Sequence, residues 1–136
     1  MSQAIRPNVF PALRYRDAEA ALEWLKRAFG FEEKAVHRAD GAIQHGELRL
    51  GAGLIMFGHH DDEGWMGGNP PDALASTVSL YVVVDDPDAH HARADAAGAR
   101  IVRELTDEPY GSREYSVRDL EGNLWSFGTY DPYAHA

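Results

Sequence analysis

The chain has 136 residues, enough for one compact domain with a real core and too few for two ordinary domains joined by a linker. An apolar fraction of 44%, with three Trp, six Tyr and five Phe, separates it from disordered chains, and the lack of Cys excludes disulfides, thiolate metal sites and a Cys nucleophile. Thirteen basic against 22 acidic side chains give a formal charge of −9, a field that repels nucleic acid and anionic membranes.

The opening segment MSQAIRPNVFPALRYRD has no apolar stretch before a small-residue cleavage site, and no apolar run approaches the ~18 residues of a membrane helix. We therefore expect a cytoplasmic protein without a membrane span. The first strand-like run is Val9 to Tyr15. Asp17 then offers a helix N-cap, Glu19 falls in the first turn, and Ala18, Ala21, Leu22, Leu25, Ala28 and Phe29 recur at helical spacing before Gly30, which predicts a helix over 17–29. Three strand candidates follow at Glu32–Arg38, Ile43–Leu50 and Leu54–Gly58, broken at Asp40-Gly41 and Gly51-Ala52-Gly53.

From His59 the sequence reads HHDDEGWMGGNPPDALAS, rich in Gly, Pro and Asp and without periodicity, so 59–76 is expected to be a long connection. Trp65 in it is a candidate lid, against the alternative of a disordered bridge. The pattern then repeats. A strand-like run at Val78–Val84 leads to Asp86-Pro87, a cap followed by proline in the first turn, and to Ala89, Ala92, Ala96 and Ala97 before Gly98, predicting a helix over 86–97. Strand candidates Arg100–Leu105, Glu114–Arg118 and Leu124–Gly128 follow, broken at Pro109-Tyr110-Gly111 and Glu121-Gly122-Asn123. A shift of 68 residues places Asp17 on Asp85 and Gly30 on Gly98, so the chain carries an internal repeat.

The segments LRYRDAEAALEWLKRAFGFEE and YGSREYSVRDLEGNLWSFGTY resemble the opening of the first repeat and the close of the second in vicinal oxygen chelate proteins, which include glyoxalase I, the bleomycin-resistance proteins and the extradiol dioxygenases. Asp119-Leu120-Glu121-Gly122-Asn123-Leu124-Trp125 is the more specific match, with Leu120 where proline is common. The resemblance implies an α+β fold of two tandem βαβββ modules forming a curled mixed sheet, with helices on its convex face and the ligand on its concave face. It implies a single domain over 1–136, with repeat one at about 8–58, the connection at 59–76 and repeat two at about 77–130. It also implies a homodimer.

Metal-using members of that superfamily place ligands on the first and fourth strands of each repeat. Counted from the adjacent helices and turns, those positions fall on Phe10, Met56, Ser79 and Ser126. None offers the imidazole or carboxylate lone pairs that a divalent ion needs to replace its waters. A slip of one residue moves each position to the other face of its strand, and a slip of two offers Ala12, Leu54, Gly58, Tyr81, Leu124 or Gly128, again without such a donor. We expect no metal and no other cofactor.

His59-His60-Asp61-Asp62-Glu63 is dense in donors, but consecutive residues rarely converge on one ion, and a solvated acidic loop is the expectation. His90-His91 point about 100° apart on the second helix and are expected at the surface or a dimer edge. His45 and Glu47 share one strand face, which Arg49 continues. On a concave face they could orient a polar ligand or act as acid and base, whereas on a convex face or an edge they are ordinary polarity, which we expect. Glu114 and Ser116 form a similar row, Tyr110 sits in a turn that could reach a cavity mouth, and Trp125 and Phe127 should pack under a helix. Neither a nucleophile elbow nor a phosphate-binding glycine loop is present.

The favoured expectation is a non-catalytic binding protein for a small aromatic or apolar organic molecule, lined by Phe10, Met56, Trp65, Ser79, Tyr81, Tyr110, Leu124 and Ser126, with His45 and Glu47 as candidates. The alternatives are a metal-dependent lyase, isomerase or dioxygenase of the glyoxalase type, and a purely structural or regulatory dimer.

Overall fold

The structure, a computed structural model, describes residues 7–60 and 78–134. Its elements run β1 (Ala12–Tyr15), α1 (Ala18–Phe29), β2 (Glu32–Ala39), β3 (Ala42–Leu50), β4 (Gly53–His59), β5 (Leu80–Val83), α2 (Pro87–Ala96), β6 (Arg100–Asp107), β7 (Arg113–Arg118) and β8 (Leu124–Gly128). The strands form two four-stranded mixed sheets, ordered β1-β4-β3-β2 and β5-β8-β7-β6. In each, the first strand runs parallel to the fourth and the remaining pairs are antiparallel. This is the βαβββ arrangement, made twice.

The chain divides into two compact units, with Arg27–Phe29 at the end of α1 belonging to the second. In the first unit, the Asp17 carboxylate accepts from Ala20 N at 3.0 Å and so caps α1. Glu19 in the first turn then accepts from Nε and Nη2 of Arg38 on β2, at 2.7 and 2.8 Å. The apolar stripe of α1 and the sheet residues Tyr15, Ile43, Leu48, Ile55 and Phe57 are buried. The β2–β3 turn is tight because Asp40 and Gly41 both take positive φ, 54° and 77°, as a two-residue hairpin loop demands. Strand β1 starts three residues later than the expected Val9. Pro11 has no N–H to give to a ladder, and only its carbonyl takes part, accepting from Met56 N at 2.8 Å.

The second unit has a different core. Its helix α2 starts at Pro87 behind the Asp86 cap and packs across β6, β7 and β8 with little apolar surface of its own, burying only Pro87 and Ala94. Aromatic rings supply the missing volume. Phe29 lies 5.2 Å from Trp125 and 4.8 Å from Phe127, centroid to centroid, and Tyr115, Trp125 and Phe127 are completely buried. The expected placement of Trp125 and Phe127 under a helix holds.

His90 departs from expectation. It is not a surface residue: its Nε2 lies 2.9 Å from the Phe29 carbonyl oxygen and its Nδ1 lies 2.5 Å from the Tyr115 hydroxyl. A carbonyl can only accept, so Nε2 carries the proton and Nδ1 accepts from Tyr115. Burial pushes the His90 pKa below its ordinary value and pushes the Tyr115 hydroxyl far up. His91 is also largely covered and holds Glu104 of β6 at 2.9 Å. The helix is too poor in large side chains to cover β7 by itself, so its histidines serve as packing groups.

Candidate functional site

The turn Asp119–Asn123 fixes the entry of β8. The Asp119 carboxylate is 5% exposed and accepts from Glu121 N, Asn123 N and Asn123 Nδ2, each at 3.0 Å, and from the buried Trp125 Nε1 at 3.1 Å. With that turn anchored, alternation puts Trp125 and Phe127 toward α2 and leaves Leu124, Ser126 and Gly128 on the other face. Tyr81 is the cross-strand neighbour of Ser126, Ser126 that of Ser116, and Gly128 that of Glu114, so all share this face. The Ser116 and Ser126 hydroxyls bond each other at 2.7 Å.

At the end of the sheet where β8 leaves, an open cavity of about 520 Å³ is lined by Tyr81, Tyr110, Glu114 and Tyr130. Gly128 makes it possible. A Cβ there would sit 2.4 Å from Glu114 Cγ and 2.9 Å from Tyr81 Oη, distances that atoms do not tolerate. Tyr81 donates its hydroxyl to the Tyr130 carbonyl oxygen at 2.8 Å, and Tyr130 N donates to Ser112 Oγ at 3.1 Å, which together pin the segment after β8. Tyr110 points its hydroxyl at both Glu114 oxygens, 3.1 Å from each. The Tyr130 ring stands 6.0 Å from that of Tyr110 at 85° and 6.4 Å from that of Tyr81 at 57°, so the three rings are walls meeting at steep angles. Burial and then the hydrogen bond to Glu114 raise the Tyr110 pKa. Burial raises that of Tyr81 as well, with the Glu114 charge adding to it.

Of the expected lining, Tyr81 and Tyr110 meet in this cavity. Leu124 and Ser126 share the Tyr81 face but do not line the cavity, and Ser79 precedes β5 and is exposed. Trp65 lies outside the described residues. Phe10, Met56, His45 and Glu47 belong to the first unit. There Phe10 precedes β1 and is 39% exposed, whereas Met56 lies between Ala12 and Glu47 on the face opposite Phe57. His45 and Glu47 share the Met56 face. Glu47 accepts from His45 Nε2 at 2.8 Å and Lys34 Nζ at 2.9 Å, and these two bonds, in that order, hold its carboxyl below the usual carboxylate range. Glu114 and Tyr130, two of the four cavity residues, were not among the expected ligand contacts. Glu114 was legible as part of a polar row, but Tyr130 follows the last strand and belongs to no pattern.

The sequence profile of the Glyoxalase/Bleomycin resistance protein/Dioxygenase superfamily matches residues 9–127. The chain belongs to that superfamily. TioX from Micromonospora sp. ML1 has a crystal structure similar to this one, at 38% identity and a TM-score of 0.73, over 90% of this chain and 94% of that one. An uncharacterised protein of Mycobacterium tuberculosis is 34% identical over 133 residues, 94% of this chain and 77% of the relative. A superfamily enzyme from Burkholderia phytofirmans PsJN shares the fold at 21% identity and a TM-score of 0.69, over 88% of this chain and 94% of that one. Phe10, Met56, Ser79 and Ser126, the positions expected to correspond to the superfamily's metal ligands, carry an aromatic ring, a thioether and two hydroxyls, and Phe10 and Ser79 lie before β1 and β5 rather than on them. Those groups do not fit a hard or borderline divalent ion. Among the described residues, no three His, Asp or Glu side chains converge to hold one elsewhere. No helix among the described residues is long and apolar enough to cross a membrane.

Proposed function

We propose that this glyoxalase/bleomycin-resistance-like protein binds a small aromatic organic molecule against Tyr81, Tyr110 and Tyr130, and does so without a metal. The carrying observation is the cavity of about 520 Å³ walled by three tyrosines, a size and make-up suited to a small organic guest. Two hydroxyls are already committed, Tyr81 to a backbone carbonyl and Tyr110 to Glu114, so the walls present ring faces more than hydrogen-bonding groups. A lyase or dioxygenase reading has no donor set at the superfamily's four positions to build on.

We place the protein in solution as a homodimer acting as one functional domain. The support is the exposed apolar surface on and beside the edge strand β5, with Val78 72% and Val83 43% exposed, which symmetric pairing along that edge would cover. Light scattering should give twice the 15.0 kDa chain mass, and a monomer at micromolar concentration would remove this part of the reading.

The binding test is a titration of planar aromatic compounds followed by calorimetry and intrinsic fluorescence. At least one should bind at micromolar concentration, and Tyr130→Ala should weaken it about 5- to 150-fold, the effect of losing roughly 1–3 kcal/mol of aromatic contact. Binding unaffected by Tyr130→Ala or Tyr81→Ala would overturn the assignment of the cavity.

A further inference from the structure

We propose that the guest of the tyrosine cavity carries a positive charge, a protonated amine or quaternary ammonium on its aromatic body, which Glu114 pairs and the rings of Tyr81, Tyr110 and Tyr130 surround. The proposal rests on the cavity being a binding site and adds the charge of what enters it. Glu114 is the starting point. The other half-buried strand carboxylate among the described residues, Glu47, is paired with Lys34 and accepts from His45, but Glu114 has no cation partner among them. Its one side-chain hydrogen-bond donor is the neutral Tyr110 hydroxyl, which spans both carboxylate oxygens. The two nearby arginines are spoken for, Arg103 by Glu108 and Arg113 by Asp88 and Asp107.

A carboxylate left unpaired at an apolar wall lacks the compensation that would normally accompany it. A cation arriving in the cavity would supply it. The rings are suited to the same guest, because the face of an aromatic ring is its electronegative surface and three such rings line the cavity beside Glu114. An anion or a carboxylate-bearing aromatic would meet the opposite field, set by Glu114 and by a chain of net charge −9.

The probes are phenyltrimethylammonium and tert-butylbenzene, which share one shape and differ in charge, titrated into the full chain at low salt and followed by calorimetry and fluorescence. The ammonium should bind about tenfold or more tightly than the hydrocarbon, and the ratio should fall with added salt. Glu114→Gln, which preserves size and can still accept from Tyr110, should cut the ammonium's affinity about tenfold and leave the hydrocarbon's unchanged. Tyr110→Phe keeps the ring and frees the carboxylate, so it should preserve or raise the preference, and this keeps the test open should Glu114→Gln fold poorly. Equal affinities for the two probes, or a preference that survives Glu114→Gln, would overturn the charge assignment while leaving an aromatic-binding cavity in place. Failure of both probes to bind would overturn the cavity reading and this inference with it.

Discussion

His90 joins the last turn of α1, the helix α2 and strand β7 through its two ring nitrogens, and its removal tests whether that junction holds the second unit together. In His90→Leu the ring volume is roughly kept but both hydrogen bonds go, leaving the Tyr115 hydroxyl without its acceptor at a fully buried site and removing the bond that His90 Nε2 gives the Phe29 carbonyl oxygen. Each orphaned buried group costs about 1–3 kcal/mol, so the substitution should destabilise by about 3–5 kcal/mol. Tyr115→Phe removes the same hydroxyl from the other side and should cost about 1–2 kcal/mol. In the double variant the Tyr115 orphan no longer exists, so its cost should be about 1–2 kcal/mol less than the sum of the singles. Urea unfolding of the four proteins, followed by the fluorescence of buried Trp125, measures all of this. Additivity to within about 0.4 kcal/mol would refute the claim that the short contact stabilises the fold.

The same residue sets a pH dependence. Burial lowers the folded-state pKa of His90 below its unfolded value, so the unfolded chain binds the extra proton first, and the His90 contribution is complete above about pH 6.5 and is lost as pH falls below it toward the folded value. Melting temperature should therefore decline as pH falls below about 6.5 in wild type and decline less in His90→Leu. Asp119→Ala strips the buried Trp125 Nε1 and the β8 turn of their acceptor and should cost about 3–5 kcal/mol by denaturant unfolding, whereas Asp119→Asn, which keeps one acceptor oxygen, should cost less. Gly128→Ala must displace Glu114 and Tyr81 and crowds the Arg113 carbonyl oxygen, so phenyltrimethylammonium binding should fall at least about fivefold, with circular dichroism run alongside to check that the fold is kept. Purified protein dialysed against a mild chelator should hold less than about 0.2 equivalents of Zn, Ni, Mn, Fe or Co by elemental analysis, and near one equivalent would restore the enzymatic reading.

What was legible in the sequence was short-range. Asp17, Asp86-Pro87, Gly30 and Asp40-Gly41 act on their immediate neighbours, and each stands where the sequence puts it. Strand alternation was equally readable for Trp125, Ser126 and Phe127. It misleads in β3, where Ile43 is buried and His45 is not, although both are odd-numbered: the ladder shifts between the pairs His37–His45 and Arg38–Ile43, and the extra residue reverses the faces. No local pattern announces such a bulge. Tyr130 was missed because its place depends on bonds to Tyr81 and Ser112, 49 and 18 residues away. His90 was misread because α2 shows no apolar stripe, and what the helix buries is decided by Phe29, Tyr115 and Phe127.

The two repeats share a backbone more faithfully than a chemistry. Glu47 opposes Met56 in the first sheet as Ser116 opposes Ser126 in the second, and Gly58, next to the last residue of β4, and Gly128, the last of β8, leave space that a neighbour fills, Arg14 in one case and Tyr81 with Glu114 in the other. A Cβ at Gly58 would meet the Gln44 carbonyl oxygen at 2.8 Å and at Gly128 the Arg113 carbonyl oxygen at 3.2 Å, so the close approach of β4 to β3 and of β8 to β7 is one geometric requirement met twice. The side chains that use the resulting space differ in charge. In the first unit the opening admits a guanidinium and the Glu47 carboxylate on the same sheet is paired with Lys34, while in the second it admits a phenol and a carboxylate without a cation partner among the described residues. Fold and repeat can thus be argued from backbone demands alone, whereas the proposed site turns on a side chain the repeat does not dictate, the Glu114 carboxylate, which has no cation partner among the described residues.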